Sequence, residues 1–176
     1  FTVVFNEPVA GFATGDVTLT GTAGGTLTGT VAEIAPNNGT TYAVSVSGMT
    51  TDGTVIASIV AAVGTVTDAA GNANNANTFT DNTVTYDTIA PTMTINQAAA
   101  QADPTNVSPI NFTVVFSESV IGFATGDVTL SGTAGATTAV VTFVSGTTYN
   151  VAVSGMTGSG TVIAAIAANV ATDLAG

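Results

Sequence analysis

The 176-residue chain contains no cysteine, histidine, tryptophan, lysine or arginine. Each absence removes a class of chemistry. Without cysteine there is no disulfide framework. Without histidine or lysine there is no base to activate a serine or threonine, so nucleophilic triads are not available. Zinc and transition-metal sites draw mainly on histidine and cysteine and are not expected. With no basic side chain nothing can neutralise phosphate, so nucleic acid is not a partner. Trypsin-like proteases also find no cleavage site, which suits an exposed outer-surface polymer. No apolar run reaches the 18 or so residues needed to span a bilayer, so this segment is not expected to insert into a membrane. The most apolar stretch, residues 55–63, reads as a short buried strand.

What is present is acid and threonine. Eleven Asp and Glu give a formal charge of −11, and apolar residues make up 45 %, enough for packed cores. The charge has two readings: solubility in a saline or extracellular medium, or the binding of cations that relieve carboxylate repulsion. Paired carboxylates also hydrolyse glycosides. Here, however, the acids fall at repeated loop positions, with no tryptophan and no basic partner, so an enzyme is not expected.

The acids sit in a repeat. Residues 11–19 recur letter for letter as 122–130, and Phe1-Thr2-Val3-Val4-Phe5 recurs as residues 112–116. Residues 46–50 recur as 153–157, and Thr67-Asp68-Ala69-Ala70-Gly71 returns as Thr172-Asp173-Leu174-Ala175-Gly176. The offset falls from 111 to 107 to 105, which puts the length differences in loops between matched strands. Such a period is one domain rather than a solenoid turn. Tyr86-Asp87-Thr88-Ile89-Ala90-Pro91 then reads as the hinge between two domains, residues 1–88 and 89–176. Nothing ahead of Phe1 matches residues 91–111, and nothing after Gly176 matches residues 72–87. The first domain is therefore expected to lack its first strand in this window and the second its last. The chain would be a window on a longer array, in which no secretory leader would be visible.

Thr, 35 of the residues, alternates with Val, Leu and Ile, the pattern of half-buried strands. Short strands spaced by Gly, Asn and Ser turns predict an antiparallel sandwich. Asn37-Asn38-Gly39 marks a hairpin, because Asn and Gly accept positive φ. Seven strands are expected per domain: A near residues 91–95, B at 110–116, C at 127–132, D and E on either side of the Asn-Gly turn, F at 161–167 and G at 78–86. Residues 98–101 allow one helical turn. Phe5, Phe12, Phe112, Phe123, Met49 and Met156 are expected in the cores.

The residues Phe112-Thr113-Val114-Val115-Phe116-Ser117-Glu118, Gly122-Phe123 and Asp127-Val128-Thr129-Leu130 resemble the immunoglobulin-like repeats of large bacterial surface adhesins and biofilm-associated proteins. So do Thr67-Asp68-Ala69-Ala70-Gly71-Asn72 and Tyr86-Asp87-Thr88-Ile89-Ala90-Pro91-Thr92. The resemblance covers nearly the whole chain. It implies tandem Ig-like β-sandwiches in an extracellular stalk, whose partners are the neighbouring repeats and whose joints calcium stiffens. The absence of Lys and Arg departs from the usual composition of such repeats.

Calcium is also the natural use of carboxylates, since hard cations take several oxygens at once. Strands alternating up and down bring the B–C and F–G loops to the end of a domain that meets the incoming linker. That predicts a joint built from Asp87 of the linker, Glu118 of B–C and Asp173 of F–G, approached by Asp52 from the first domain. Asp127, at the start of C, is a secondary candidate. Glu7 and Asp68 are the matching residues for a joint upstream, and Asp103 for one downstream. The competing reading is that each Asp caps its own turn. Two further functions remain open: a self-assembling filament subunit that accepts a strand from its neighbour, and a carbohydrate-binding tip, which the lack of aromatic platforms disfavours. Asn38, Asn106 and Asn111 fit the N-glycan acceptor pattern, which chance explains in so Thr-rich a chain.

Overall fold

The computed structural model describes residues 1–60, 66–79 and 81–176. The chain divides into two compact units, Phe1–Ile89 and Ala90–Gly176. Both are all-β, built from antiparallel sheets in the manner of a β-sandwich.

The first unit holds β1 (Thr2–Val4), β2 (Val17–Gly21), β3 (Thr28–Glu33), β4 (Thr41–Ser47), β5 (Gly53–Ile59) and β6 (Thr83–Tyr86). They form two sheets, ordered β1-β4-β3 and β2-β5-β6. The second unit holds β7 (Met93–Gln97), β8 (Ile110–Phe116), β9 (Val128–Ser131), β10 (Thr138–Ser145), β11 (Thr148–Ser154) and β12 (Ile163–Ile166). Its sheets run β10-β11-β8-β7 and β12-β9.

Period-2 patterning decides which face is buried. Along β11 the residues Tyr149, Val151 and Val153 are buried, while the residues between them are half-buried. They join Val114 and Phe116 of β8, and Val128, Leu130, Ala164 and Ile166 of the opposing sheet pack against them. The core of the second unit therefore lies between its two sheets. In each unit one aromatic trio anchors this layer. Phe116, Phe123 and Tyr149 meet edge-to-face, with centroids 5.1 to 5.8 Å apart. Phe5, Phe12 and Tyr42 repeat the arrangement at 5.0 to 5.9 Å. Such contacts add about 0.5–1.5 kcal/mol per pair to the burial itself. Met49 and Met156 are only half-buried, at strand exits rather than in the core.

The expected hairpin is β3–β4, where Asn37 (φ 60°) and Gly39 (φ 79°) take the left-handed conformations that their residue types allow. The second unit turns more tightly. Residues 34–41 separate the paired Glu33 and Tyr42, whereas residues 144–148 separate the paired Phe143 and Tyr149. That three-residue saving accounts for most of the drop in repeat offset from 111 to 107.

Several elements differ from the sequence pattern at their ends. β12 covers only Ile163–Ile166, and β6 only Thr83–Tyr86. β7 runs Met93–Gln97, two residues later than the pattern suggests. The apolar run from Val55 is a strand to Ile59, and its continuation at residues 61–63 lies outside the described residues. Residues 98–101 form a single turn closed by the Gln101 N–H to the Ala98 carbonyl at 2.8 Å. The β9 strand starts at Val128, because Asp127 belongs to a short 3₁₀ turn, Thr125–Asp127, mirrored at Thr14–Asp16.

Phe116 is 4 % exposed and Phe143 is 60 % exposed, although both touch Tyr149. Phe116→Ala should cost about 3–5 kcal/mol, and Phe143→Ala less than about 1 kcal/mol. Denaturant unfolding of the two variants checks this contrast.

Candidate functional site

In the second unit the end of β8 passes directly into Ser117 and Glu118. Reciprocal bonds fix this exit: the Ser117 N–H donates to the Thr92 carbonyl and the Thr92 N–H to Ser117 Oγ, each at 2.9 Å. Asp173 is set by a two-bond bridge between Ile121 and Thr172, at 2.8 and 3.1 Å. Its carboxylate is buried, and Oδ1 accepts the N–H groups of Ala175 and Gly176 at 2.7 and 2.8 Å. One oxygen each of Glu118 and Asp173 lie within 4.8 Å of each other. At that spacing two like charges repel by about 1 kcal/mol in bulk water and by roughly 3 kcal/mol at the effective dielectric of a protein surface. A bound divalent cation would reverse the sign of that interaction.

The first unit carries the counterpart pair. Glu7 and Asp68 line one cleft of about 430 Å³ together with Asn72 and Asn74. Asn74 Nδ2 donates to the Val60 and Asn75 carbonyls, at 3.1 and 3.0 Å. Its Oδ1 is buried with no hydrogen-bond partner among the described residues. Sequence reasoning did not single out Asn74. The signal available was the Asn-rich run at residues 72–77, which supplies amide oxygens, ligands of the type that hard cations accept.

The other candidates divide. Asp87 closes the first unit after β6, half-buried, and its Oδ1 accepts the Ile89 N–H at 3.0 Å, a local Asx turn. Asp52, immediately before β5, accepts both the N–H and the hydroxyl of Thr88 on Oδ1, at 3.0 and 2.7 Å. It thus ties down a segment 36 residues away rather than capping its own turn. Asp127 Oδ2 accepts the Ala124 N–H at 2.7 Å, as Asp16 accepts that of Ala13 at 2.8 Å, so both close their own 3₁₀ turns. Asp103 lines a separate cleft with Gln97 and Gln101. No helix among the described residues is long and apolar enough to cross a membrane.

The Asp68 loop shows how these carboxylates are held. Oδ1 accepts the Ala70 and Asn72 N–H groups at 2.8 and 2.9 Å, and Oδ2 accepts Asn72 Nδ2 at 2.7 Å. The Asn72 side chain first, then the backbone N–H of Asn72 and those of Ala70 and Gly71, hold the Asp68 carboxyl below its usual pKa. No protein-family model, curated protein or solved structure matches this chain.

Because the folded pKa of Asp68 is depressed, its contribution to stability is complete above the unfolded value. It is lost as the pH falls through the folded one. Asn72→Ala should move the carboxyl titration of Asp68 upward towards the ordinary value of 3.8. A carbon-13 NMR titration reads this directly; an unmoved midpoint would show that the amide does not hold the charge.

Proposed function

We propose that the chain is a pair of immunoglobulin-like repeats from an extracellular bacterial stalk or fibre. Its role is mechanical, spacing an adhesive or biofilm-forming surface, with calcium stiffening the joints. The strand order supports the Ig-like reading. Through the repeat, β8, β9, β10, β11 and β12 correspond to β1, β2, β3, β4 and β5. Adding β7 from the second unit and β6 from the first completes one sheet ordered A-B-E-D and another ordered C-F-G. That is the division of a constant-type immunoglobulin sandwich.

The observation that carries the calcium reading is the Glu118–Asp173 pair, with oxygens within 4.8 Å. Its repeat as Glu7 and Asp68 around one cleft strengthens it. Two carboxylates brought together with no basic residue in the chain form a donor set suited to an external cation. A hard, oxygen-preferring ion fits the donors, since they are carboxylates and the chain has no histidine or cysteine. In this proposal Asp87 supplies the third carboxylate. Thr92 is bonded to Ser117, next to Glu118, and the five residues from Asp87 to Thr92 span at most about 17 Å. When bound, the ion screens the carboxylates and fixes the linker that carries Asp87. The chain's own part is to hold Asp173 by two backbone N–H groups and Glu118 by the β8 exit.

The test is small-angle scattering of the chain in calcium and then in excess chelator, with circular dichroism alongside. The maximum dimension should shrink or smear on chelation while the dichroism stays constant. Glu118→Gln should weaken calcium binding by about tenfold or more, as loss of one charged ligand does, and leave the strand signal intact. Unchanged scattering together with no calcium heat would reduce the carboxylates to turn caps and solvating surface.

A further inference from the structure

Asparagine is followed by glycine at a single place in the chain, Asn38-Gly39, in the loop that joins β3 to β4. This pair has a chemistry of its own. The peptide nitrogen of the next residue can attack the asparagine side-chain carbonyl and close a succinimide ring. A following glycine permits the approach, because no Cβ stands in the way. Nucleophile and electrophile belong to one short loop, so the step is intramolecular and carries the entropic advantage of such steps. What decides its rate in a folded loop is the surroundings of the two reacting groups.

Each group has a partner suited to its part. Glu33 ends β3 opposite Tyr42, and its Oε1 accepts the Gly39 N–H. That hydrogen must leave before the nitrogen can attack, and a carboxylate bonded to it is placed as a general base. Asn38 Oδ1, where charge develops once the carbonyl is attacked, accepts the Thr40 hydroxyl at 2.6 Å and the Thr40 N–H at 3.3 Å. Two donors on that oxygen make the arrangement of an oxyanion hole. The loop backbone is also anchored. The Gly39 carbonyl accepts the Val9 N–H at 2.9 Å, and the Thr40 carbonyl accepts the Phe5 N–H at 2.8 Å. Asn38 itself is exposed, so water has access and ammonia can leave. The corresponding turn of the second unit, residues 144–148, contains no asparagine.

We propose that Asn38 is a self-modification site, converted to aspartate and isoaspartate through a succinimide with Glu33 and Thr40 as the catalytic residues. Glu33 takes the Gly39 N–H proton as the Gly39 nitrogen bonds to Asn38 Cγ. The carbonyl electron pair moves onto Oδ1, where the two Thr40 donors stabilise it. Its return breaks the Cγ–Nδ2 bond, and the proton held by Glu33 passes to the leaving nitrogen, which departs as ammonia. Water then opens the ring at either carbonyl, giving aspartate or its iso form with nothing oxidised or reduced. The product adds a carboxylate to the loop that Glu33 already occupies, in a chain with no basic side chain to offset it. Ammonia is lost to solvent, so the extent of conversion records the age of the molecule. The opposite reading, in which Glu33 merely withholds the N–H from attack, predicts the opposite sign when Glu33 is removed.

The test is to incubate the 176-residue chain at neutral pH and follow it by intact mass and by peptide mapping with chymotrypsin, since trypsin finds no site. Conversion should concentrate at Asn38, at least about tenfold faster than at any other asparagine. Glu33→Gln and Thr40→Val should each slow it by about tenfold or more, with the circular dichroism unchanged. In denaturant, where the contacts are gone, both substitutions should lose their effect. Either variant converting at the native rate or faster would overturn the proposal. So would conversion spread evenly over the asparagines, or a slowing that persists in the unfolded chain.

Discussion

Eleven carboxylates must be accommodated without one cationic side chain, and much of the loop structure follows from how this is done. The donors are backbone N–H groups and hydroxyls. Asp16 and Asp127 reach back to Ala13 and Ala124 and so close the turns that lead into β2 and β9. Asp68 and Asp173 gather the N–H groups of the loops after the Thr67 and Thr172 bridges. Asp52 takes both donors of Thr88. A hydrogen bond to a charged group contributes more than a neutral one, so each acid organises a loop in place of an ion pair.

The same constraint separates structural carboxylates from candidate functional ones. Asp16 and Asp127 have a local donor that explains their position. Glu118 and Asp173 bring one oxygen each within 4.8 Å, a like-charge approach that those loop-closing acids do not show.

Much of the fold was legible. The alternation of Val and Thr through Tyr149, Val151 and Val153 reports a one-sided strand, and Asn37 with Gly39 reports the hairpin. Strand ends were less legible: Thr161 and Val162 are strand-favouring residues that continue the apolar pattern, yet β12 begins only at Ile163. The 3₁₀ turns were missed since Ala-Thr-Gly-Asp has no apolar period, only an Asp placed to reach back three residues. Of the site, Glu118 and Asp173 follow from the repeat and from the order of loops. Thr88 as the partner of Asp52 does not, because a contact across 36 residues leaves no local trace in the chain. Nor does the orphan oxygen of Asn74, whose burial depends on packing around it.

Donors that belong to the backbone have one more effect. Every residue except proline carries an N–H, so the cradle around Asp68 or Asp173 places almost no demand on the neighbouring side chains. The two loops already illustrate the latitude: Ala69 in one is Leu174 in the other, 84 % exposed, while the N–H groups of Ala70 and Ala175 serve the same carboxylate position. Copies of such a loop can therefore drift apart in composition, and in the exterior they present, while one acidic residue per loop preserves the geometry.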